Sequence, residues 1–509
     1  MPSTVRETER TYEPGEGGGL PSLTRVDGVE AMVGPDEIGL ENQYFDTADL
    51  RLAAAGITLR HRRGGGETGW QLKLPAGGDS RDEIRVADVR TQRARLRPPP
   101  ELVALTRAYS RGAVLTQVAV MTTQRREWRL LDGAGATVAE LADDTVHGHR
   151  TGADTTAVTW REIEVELADA GDVALLDRVE KRLAKGGVRR SATATKLERV
   201  LGDRWPSPVA PPRISGASSV GAVVVAYLHT QAEQLRRMDA QVRRQAPDAV
   251  HQMRVAARRL RSALQAYGRV VDRDSTRELT DELKWLGEAL GSARDLEVLH
   301  DHLQATVATL APELVLGPVA AELTREFSPR QAAAAAEAVA ALDSDRYLAL
   351  LERIDLLLAD PPLTRQAGRK ARKAFPALLG RTHRSLGKRL RVAGSAAAGP
   401  ERDEALHEAR KAAKRLRYAG DVGRPALGTP GRRLTRQVKK LQQVLGDHHD
   451  AVAARPVVRD LAVRAQQDGG SGFTYGLLHE VESSRARDCE RALPAAVRKV
   501  KKAAAPVLG

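Results

Sequence analysis

The sequence predicts two domains of different class: an α+β N-terminal domain built on an antiparallel β-barrel or tunnel, residues 1–205, and an all-α C-terminal domain of two pseudo-symmetric helical bundles, residues 218–505. Three observations carry this. Short segments of period-two alternation, broken by glycine and proline clusters, fill the first part. Alanine-rich stretches such as 332–342, and leucines three and four apart, fill the second. A basic helical signature is also written twice into that second part: His251-x-x-Arg254-x-x-x-Arg258-Arg259-x-Arg261 recurs 156 residues later as His407-x-x-Arg410-x-x-x-Lys414-Arg415-x-Arg417.

In the first domain, charges alternate where a half-buried strand would alternate apolar residues. Glu7 and Glu9 share one strand face; Glu162, Glu164 and Glu166 share another, with Ile163, Val165 and Leu167 opposite. Arg60 lies with Arg62, and Lys73 with Gln71. If the apolar faces pack outward against helices and loops, the charged faces converge on a common interior, as in a closed barrel with a charged lumen. Such a lumen suits phosphoryl transfer. Paired carboxylates bind Mg²⁺ or Mn²⁺ as hard oxygen donors, and arginine and lysine clamp phosphate oxygens as negative charge develops. The glycine clusters at 17–19 and 64–66 do not lead into Gly-Lys-Ser/Thr, which excludes a P-loop.

Pro206-Ser207-Pro208-Val209-Ala210-Pro211-Pro212 opens a stiff linker, 206–217, prone to polyproline II geometry. Beyond it the repeat defines halves at about 218–370 and 371–505, each a bundle of about four helices. An advance of about 100° per residue puts His251, Arg254, Arg258 and Arg261 within a sector roughly 80° wide, with Arg259 turned away; His407, Arg410, Lys414 and Arg417 do the same. A further segment follows each at nearly the same offset: Lys284 through Leu290-Gly291 to Asp295, against Lys439 through Leu445-Gly446 to Asp450. Like charges stacked at spacings of three and four repel by a few tenths of a kcal/mol per adjacent pair unless an anion sits among them. These ten residues, Lys284 and Lys439 included, therefore form the candidate polyanion site. Protonation of His251 and His407 below about pH 6.5 would add to its charge.

Charge follows the same division. Residues 1–205 hold 30 Lys+Arg against 32 Asp+Glu, which leaves 50 against 34 of the chain's 80 and 66 for residues 206–509. A basic second part is the electrostatic footprint of a polyanion. Aromatic residues make up only 3% of the chain, which argues against single-stranded nucleic acid held by base stacking, and no helix-turn-helix or RNA-binding signature is present. Cys489 is the sole cysteine, so an intrachain disulfide and a cysteine metal cluster are both excluded, as suits a reducing cytoplasm. The charged N-terminus and the lack of any run of about 18 apolar residues point to neither secretion nor a membrane span.

Several segments of residues 1–205 occur in a familiar order: Glu7-Thr8-Glu9-Arg10-Thr11, Tyr44-Phe45-Asp46-Thr47, Leu59-Arg60-His61-Arg62, Lys73, Arg126 ahead of Trp128, Glu140 with Asp144, Glu162-Ile163-Glu164, and Ser191 followed by Lys196-Leu197-Glu198-Arg199. Together they resemble the CYTH superfamily, the triphosphate tunnel metalloenzymes, whose signature strand reads Glu-x-Glu-x-Lys; here Thr11 stands at the lysine position. Residues from about 218 to 500 resemble the CHAD domain, a duplicated helical module with recurring histidines and basic residues that is associated with inorganic polyphosphate. The resemblance implies that Glu7, Glu9, Glu162 and Glu164, with Glu140 and Asp144, hold the divalent metal and position the attacking water. It implies that Arg60, Arg62, Lys73, Arg126 and Lys196 hold the triphosphate. It also implies a cytoplasmic protein that binds inorganic polyphosphate and hydrolyses tripolyphosphate, with association to polyphosphate granules as a further expectation. Because Thr11 removes one charge-assisted contact of about 1.5–3 kcal/mol, a non-catalytic polyphosphate scaffold stays open beside the hydrolase. Thiamine triphosphate hydrolysis, adenylate cyclisation and nucleic-acid binding stay open as weaker readings.

Overall fold

Period-two alternation in the N-terminal part folds, among the described residues, into nine strands: β1 (Ser3–Glu13), β2 (Ala31–Asp46), β3 (Thr58–Gly64), β4 (Gly69–Gly77), β5 (Ser80–Ala87), β6 (Thr116–Leu131), β7 (Thr137–Arg150), β8 (Ala157–Leu167) and β9 (Arg189–Arg190). The computed structural model describes residues 3–15, 19–66, 68–88, 96–152, 155–193, 195–207 and 210–508. Gly17 and Gly18 of the first glycine cluster, and Pro208 and Val209 of the linker, lie outside the described residues. The strands run in the order β5-β4-β3-β2-β6-β7-β8-β1-β9, and β5 also pairs with β1, so eight antiparallel strands close into a barrel.

Among the described residues, four α-helices accompany the barrel: α1 (Arg51–Ala54), α2 (Pro100–Ser110), α3 (Val173–Lys185) and α4 (Lys196–Leu201). The outward face of β8 supplies Ile163 and Val165, both fully buried in one cluster with Leu175, Leu176, Val179 and Leu183 of α3. Burial of each such side chain is worth about 1.5–3 kcal/mol. Because α3 takes the apolar face, the alternate residues Glu162, Glu164 and Glu166 must face the interior. Asp46 closes another joint. Its carboxylate accepts hydrogen bonds from the Leu52 and Ala53 amides of α1, each at 2.9 Å, and so satisfies donors that the helix start leaves open.

The second compact unit, Val209–Gly509, is helical: α5 (Val220–Arg243), α6 (Ala249–Ala266), α7 (Arg277–Ala289), α8 (Gly291–Val307), α9 (Val319–Asp343), α10 (Asp345–Ala359), α11 (Ala371–Ser395), α12 (Pro400–Gln467) and α13 (Phe473–Leu508). Its duplication shows in the backbone. The starts of α5 and α11 lie side by side, the Val220 amide donating to the Arg369 carbonyl at 2.8 Å and the Ala371 amide to the Ser218 carbonyl at 3.0 Å. Helix α6 corresponds to α12 before its break at Gly428, whose φ of 58° and ψ of −142° are not helical. Helices α7 and α8 correspond to the rest of α12, and α9 to α13.

Two features depart from a plain repeat of four and four. Helix α10 has no counterpart, and the α7–α8 break at Leu290-Gly291 is absent at Leu445-Gly446, which lie inside α12. The core crosses the halves: Leu303 of α8, Phe327 of α9, Val458 of α12 and Leu478 of α13 form one buried cluster. Among the described residues, no helix is long and apolar enough to cross a membrane.

Candidate functional site

The barrel encloses a cavity of about 410 Å³, lined almost entirely by charged and polar side chains. At its acidic side, Asp144 of β7 and Glu162 and Glu164 of β8 offer carboxylate oxygens within 4.8 Å of one another. The register explains this: Asp144 pairs directly with Glu162 across the two strands. Lys196, the first residue of α4, stands among them, with Nζ at 2.5 Å from Glu164, 2.6 Å from Glu162 and 3.0 Å from Asp144. Thr195 sets that position by capping α4, its hydroxyl accepting from the Glu198 amide at 3.1 Å. Burial alone would raise the Glu164 carboxyl, but Lys196 and Arg125 outweigh it and hold it well below the usual range. Glu162 is raised, burial being the larger influence despite Lys196. Three clustered hard-oxygen donors around one ammonium fit a divalent cation of the Mg²⁺ or Mn²⁺ type.

The opposite wall is basic. Arg60 donates to Gln71 at 2.7 Å and to the Tyr44 hydroxyl at 3.4 Å, and Arg62 donates to Asn42 at 3.2 Å. Both guanidiniums thus have neutral partners and no ion pair among the described residues. Burial, then Arg60 and Arg125, push Arg62 down to about 9, the signature of a cation crowded by cations. Lys73 of β4 sits 2.6 Å from Glu7 and 3.5 Å from Glu9. Lys73 is the main reason the Glu9 carboxyl is lowered. Glu166 is pushed up to about 7, by burial first and then by Glu7.

The structure therefore brings Glu7, Glu9, Arg60, Arg62, Lys73, Glu140, Asp144, Glu164 and Lys196 to one cavity. Glu162 lies behind Lys196. Glu7 and Glu9 are held by Lys73, apart from the three-carboxylate group, and Glu140 lines the cavity without joining that group. Arg126 is a correction: it does not line the cavity, being half exposed, paired with Asp143 and stacked 5.7 Å over Trp128. Its neighbour Arg125 points inward, 2.8 Å from Asp144 and 2.7 Å from Glu164. The reason is strand parity. Trp128 packs against the outward core, so Arg126 must share its face while Arg125 and Glu127 take the other. Arg81, Glu83 and Arg85 also line the cavity, and their alternation along β5 was a readable signal.

Arg125→Ala is expected to destabilise the barrel unit by about 3 kcal/mol, because it leaves buried carboxylates short of a cation. Arg126→Ala should stay within about 1 kcal/mol, as Arg161 still holds Asp143 at 2.7 Å. Urea denaturation of both variants distinguishes them; equal losses would contradict the assignment of Arg125 to the interior.

In the helical unit, the two basic signatures meet. Arg258 of α6 donates to the Tyr418 hydroxyl of α12 at 2.9 Å, and the Tyr267 hydroxyl donates to the Ala419 carbonyl at 2.6 Å. Each copy lays an arginine across a glycine and toward an aspartate: Arg254 donates to the Gly291 carbonyl at 3.1 Å and pairs with Asp295 at 3.0 Å, while Arg410 lies 3.7 Å from Asp450 beside Gly446. Lys414 is driven down to about 7, by burial first, then by Arg410 and Arg258, with Asp450 opposing and Arg254 adding. Four cations, two from each copy, thus share one region. Arg417 instead turns to Gln442 at 3.1 Å and Asp421 at 4.0 Å, and Lys284 pairs with Glu288 at 3.6 Å. Lys439 is exposed and acts on Asp421, while Arg261 keeps a buried Nε with no hydrogen-bond partner.

His251 and His407 both fall below the ordinary imidazole value, burial being the largest cause in each, followed by Arg294 and Lys411 respectively. His407 Nδ1 lies 3.0 Å from Nδ1 of His449, a partner the sequence pattern did not single out.

Eight paired strands around a charged lumen, followed by a duplicated basic helical unit, define a triphosphate-tunnel domain joined to a helical CHAD module. The CYTH domain family matches residues 23–201 and the CHAD domain family residues 226–459, and the chain belongs to the proteins that fuse the two. It is 35% identical over 514 residues to the protein Rv2226 of Mycobacterium tuberculosis, covering 99% of this chain and 98% of that one. Among solved structures it is similar to the CHAD domain from the plant Ricinus communis, at 26% identity, covering 58% of this chain and 96% of that one, TM-score 0.46. It is also similar to PptA from Streptomyces chartreusis, at 20% identity, covering 55% and 100%, TM-score 0.47.

Proposed function

We propose that the chain is a condensed-phosphate protein: the helical unit, about 218–505, binds inorganic polyphosphate, and the barrel, 1–205, hydrolyses tripolyphosphate with a divalent metal. The observation that carries this reading is the division of the barrel cavity, with Arg60 and Arg62 free of any carboxylate partner among the described residues on one wall and Asp144, Glu162 and Glu164 clustered on the other. An anionic substrate and a cation would satisfy both walls at once. Asp144, Glu162 and Glu164 would hold the metal, which when bound screens phosphate charge and acidifies water. Arg60 and Arg62 clamp the phosphate oxygens through their guanidinium forks. Lys73 orients Glu7 and Glu9 and presents its ammonium to the same space. Arg125 holds Asp144 and Glu164 in place.

The test is phosphate release from tripolyphosphate with Mg²⁺ or Mn²⁺, run beside thiamine triphosphate and ATP. Glu164→Gln should lower the rate by at least about 100-fold, the scale of losing one electrostatic contact to the transition state. An unchanged rate would remove Glu164 from the machinery. A second reading, the non-catalytic scaffold, is favoured by Thr11, which lines the cavity where the family strand carries lysine. It expects tight tripolyphosphate binding and no release in the wild type with either metal.

A further inference from the structure

The helical duplication is broken at one place, and the break leaves a pocket. Arg259 and Arg415 occupy equivalent positions, 156 residues apart. Around Arg259 stand an amide, a phenol and a carboxylate. Gln231 of α5 accepts from it at 3.5 Å, Tyr227 lies one turn earlier in its field, and Asp421 of the other copy feels it as well as Arg417.

The equivalents of these three groups can be read off. Asp421, moved back by the same 156 residues, becomes Gln265; α5 and α11 start 151 residues apart, so Tyr227 and Gln231 become Leu378 and Thr382. All three line a single cavity of about 500 Å³ together with Arg415. The same architecture is thus present around both arginines, but in the second copy an amide replaces the carboxylate, an aliphatic side chain the phenol, and a shorter one the glutamine. Counter-charge and side-chain volume are lost together.

Positive charge has gathered there instead. Arg269, Arg273 and Arg381 complete the wall, all four arginines are exposed, and no acid lines the cavity. None of the four makes a side-chain hydrogen bond or ion pair among the described residues. The nearest acids along the chain are committed elsewhere, Asp272 to the Ser275 hydroxyl at 2.7 Å and Asp274 to Arg277 at 2.7 Å. Four unanswered guanidiniums around one concavity repel one another unless an anion occupies it. No aromatic residue lines it, so a nucleobase would have nothing to stack on, whereas guanidinium forks match phosphate oxygens in pairs.

We propose that this cavity is a second anion subsite, distinct from the region that Arg254, Arg258, Arg410 and Lys414 share, which takes condensed phosphate. It rests on the reading of the helical unit as a polyphosphate binder. Gln265→Asp restores the carboxylate that Asp421 supplies in the other half, and shortens the side chain by one methylene only. In calorimetric titrations of the full chain with tripolyphosphate, Gln265→Asp and Arg381→Ala/Arg415→Ala should each bind one equivalent fewer than the wild type. Long-chain polyphosphate should bind about tenfold more weakly to both. The loss should add to that of Arg258→Ala/Lys414→Ala when the changes are combined, as expected of separate sites. Wild-type stoichiometry and affinity in both variants, with losses confined to Arg258→Ala/Lys414→Ala, would overturn the subsite and leave the wider reading standing. A wild type that binds no condensed phosphate through its helices would overturn both.

Discussion

Lys196→Met will strip the barrel unit of much of its stability in chelator, and a divalent cation will return it. The lysine ammonium lies within 3.0 Å of Asp144, Glu162 and Glu164, all of them largely buried. Replacing it with an uncharged side chain of similar length leaves three carboxylates facing one another without a cation. Breaking a buried pair in this way costs about 3–5 kcal/mol. The signs fix the conditions. Burial would lower Lys196, but Glu162 and Glu164 raise it, so its contribution is fully present below the ordinary lysine value and is lost as pH rises through the raised one. Glu164 is lowered, so its contribution is present above the ordinary carboxylate value and is lost only as pH falls through the lowered one. At pH 7 both are in force. Thermal denaturation of the variant should show a large drop in Tm with chelator and a much smaller one in millimolar Mn²⁺, and the Mn²⁺-induced gain should exceed that of the wild type. An equal gain in the two proteins would show that the metal does not use these carboxylates.

Arg258→Ala/Lys414→Ala will weaken long-chain polyphosphate binding about 100-fold at moderate salt, the scale of two charge-assisted contacts of about 1.5 kcal/mol each. It will also flatten the dependence of log affinity on log salt by about one to two, since each lost contact releases one counter-ion fewer. The same cluster sets a pH dependence. Lys414 is driven down to about 7 in the free protein. An anion beside it favours the charged form, so binding takes up a proton at and above pH 7. Affinity should level off just below that value and fall above it, by up to about tenfold per unit. Lys414→Arg should remove the fall, because a guanidinium stays protonated. Calorimetry at pH 8 in buffers of different ionisation enthalpy reads the proton directly; no uptake would place Lys414 outside the site. The histidines act lower on the scale. Since His251 and His407 are both depressed, the tightening expected near pH 6.5 moves to more acid solution.

The sequence by itself determined the two architectures, the duplication, and which strand faces carry charge. These follow from local rules: side chains alternate along a strand and recur every three to four residues along a helix, so Glu162, Glu164 and Glu166 share a face however the strand is packed. What alternation could not choose was which face is inside when both are polar. In Arg125-Arg126 each face receives an arginine, and only the packing of Trp128 into the outward core sends Arg125 to the cavity. Nor could spacing along the chain say what meets across it. That Lys196 stands among three carboxylates, that Arg258 and Lys414 share one region, and that Gln265 faces Arg415 where Asp421 answers Arg259 are matters of strand register and helix pairing between residues far apart in sequence. Only the tertiary structure decides them, because the energy of a charge depends on what surrounds it, and the surroundings are supplied by other segments of the chain.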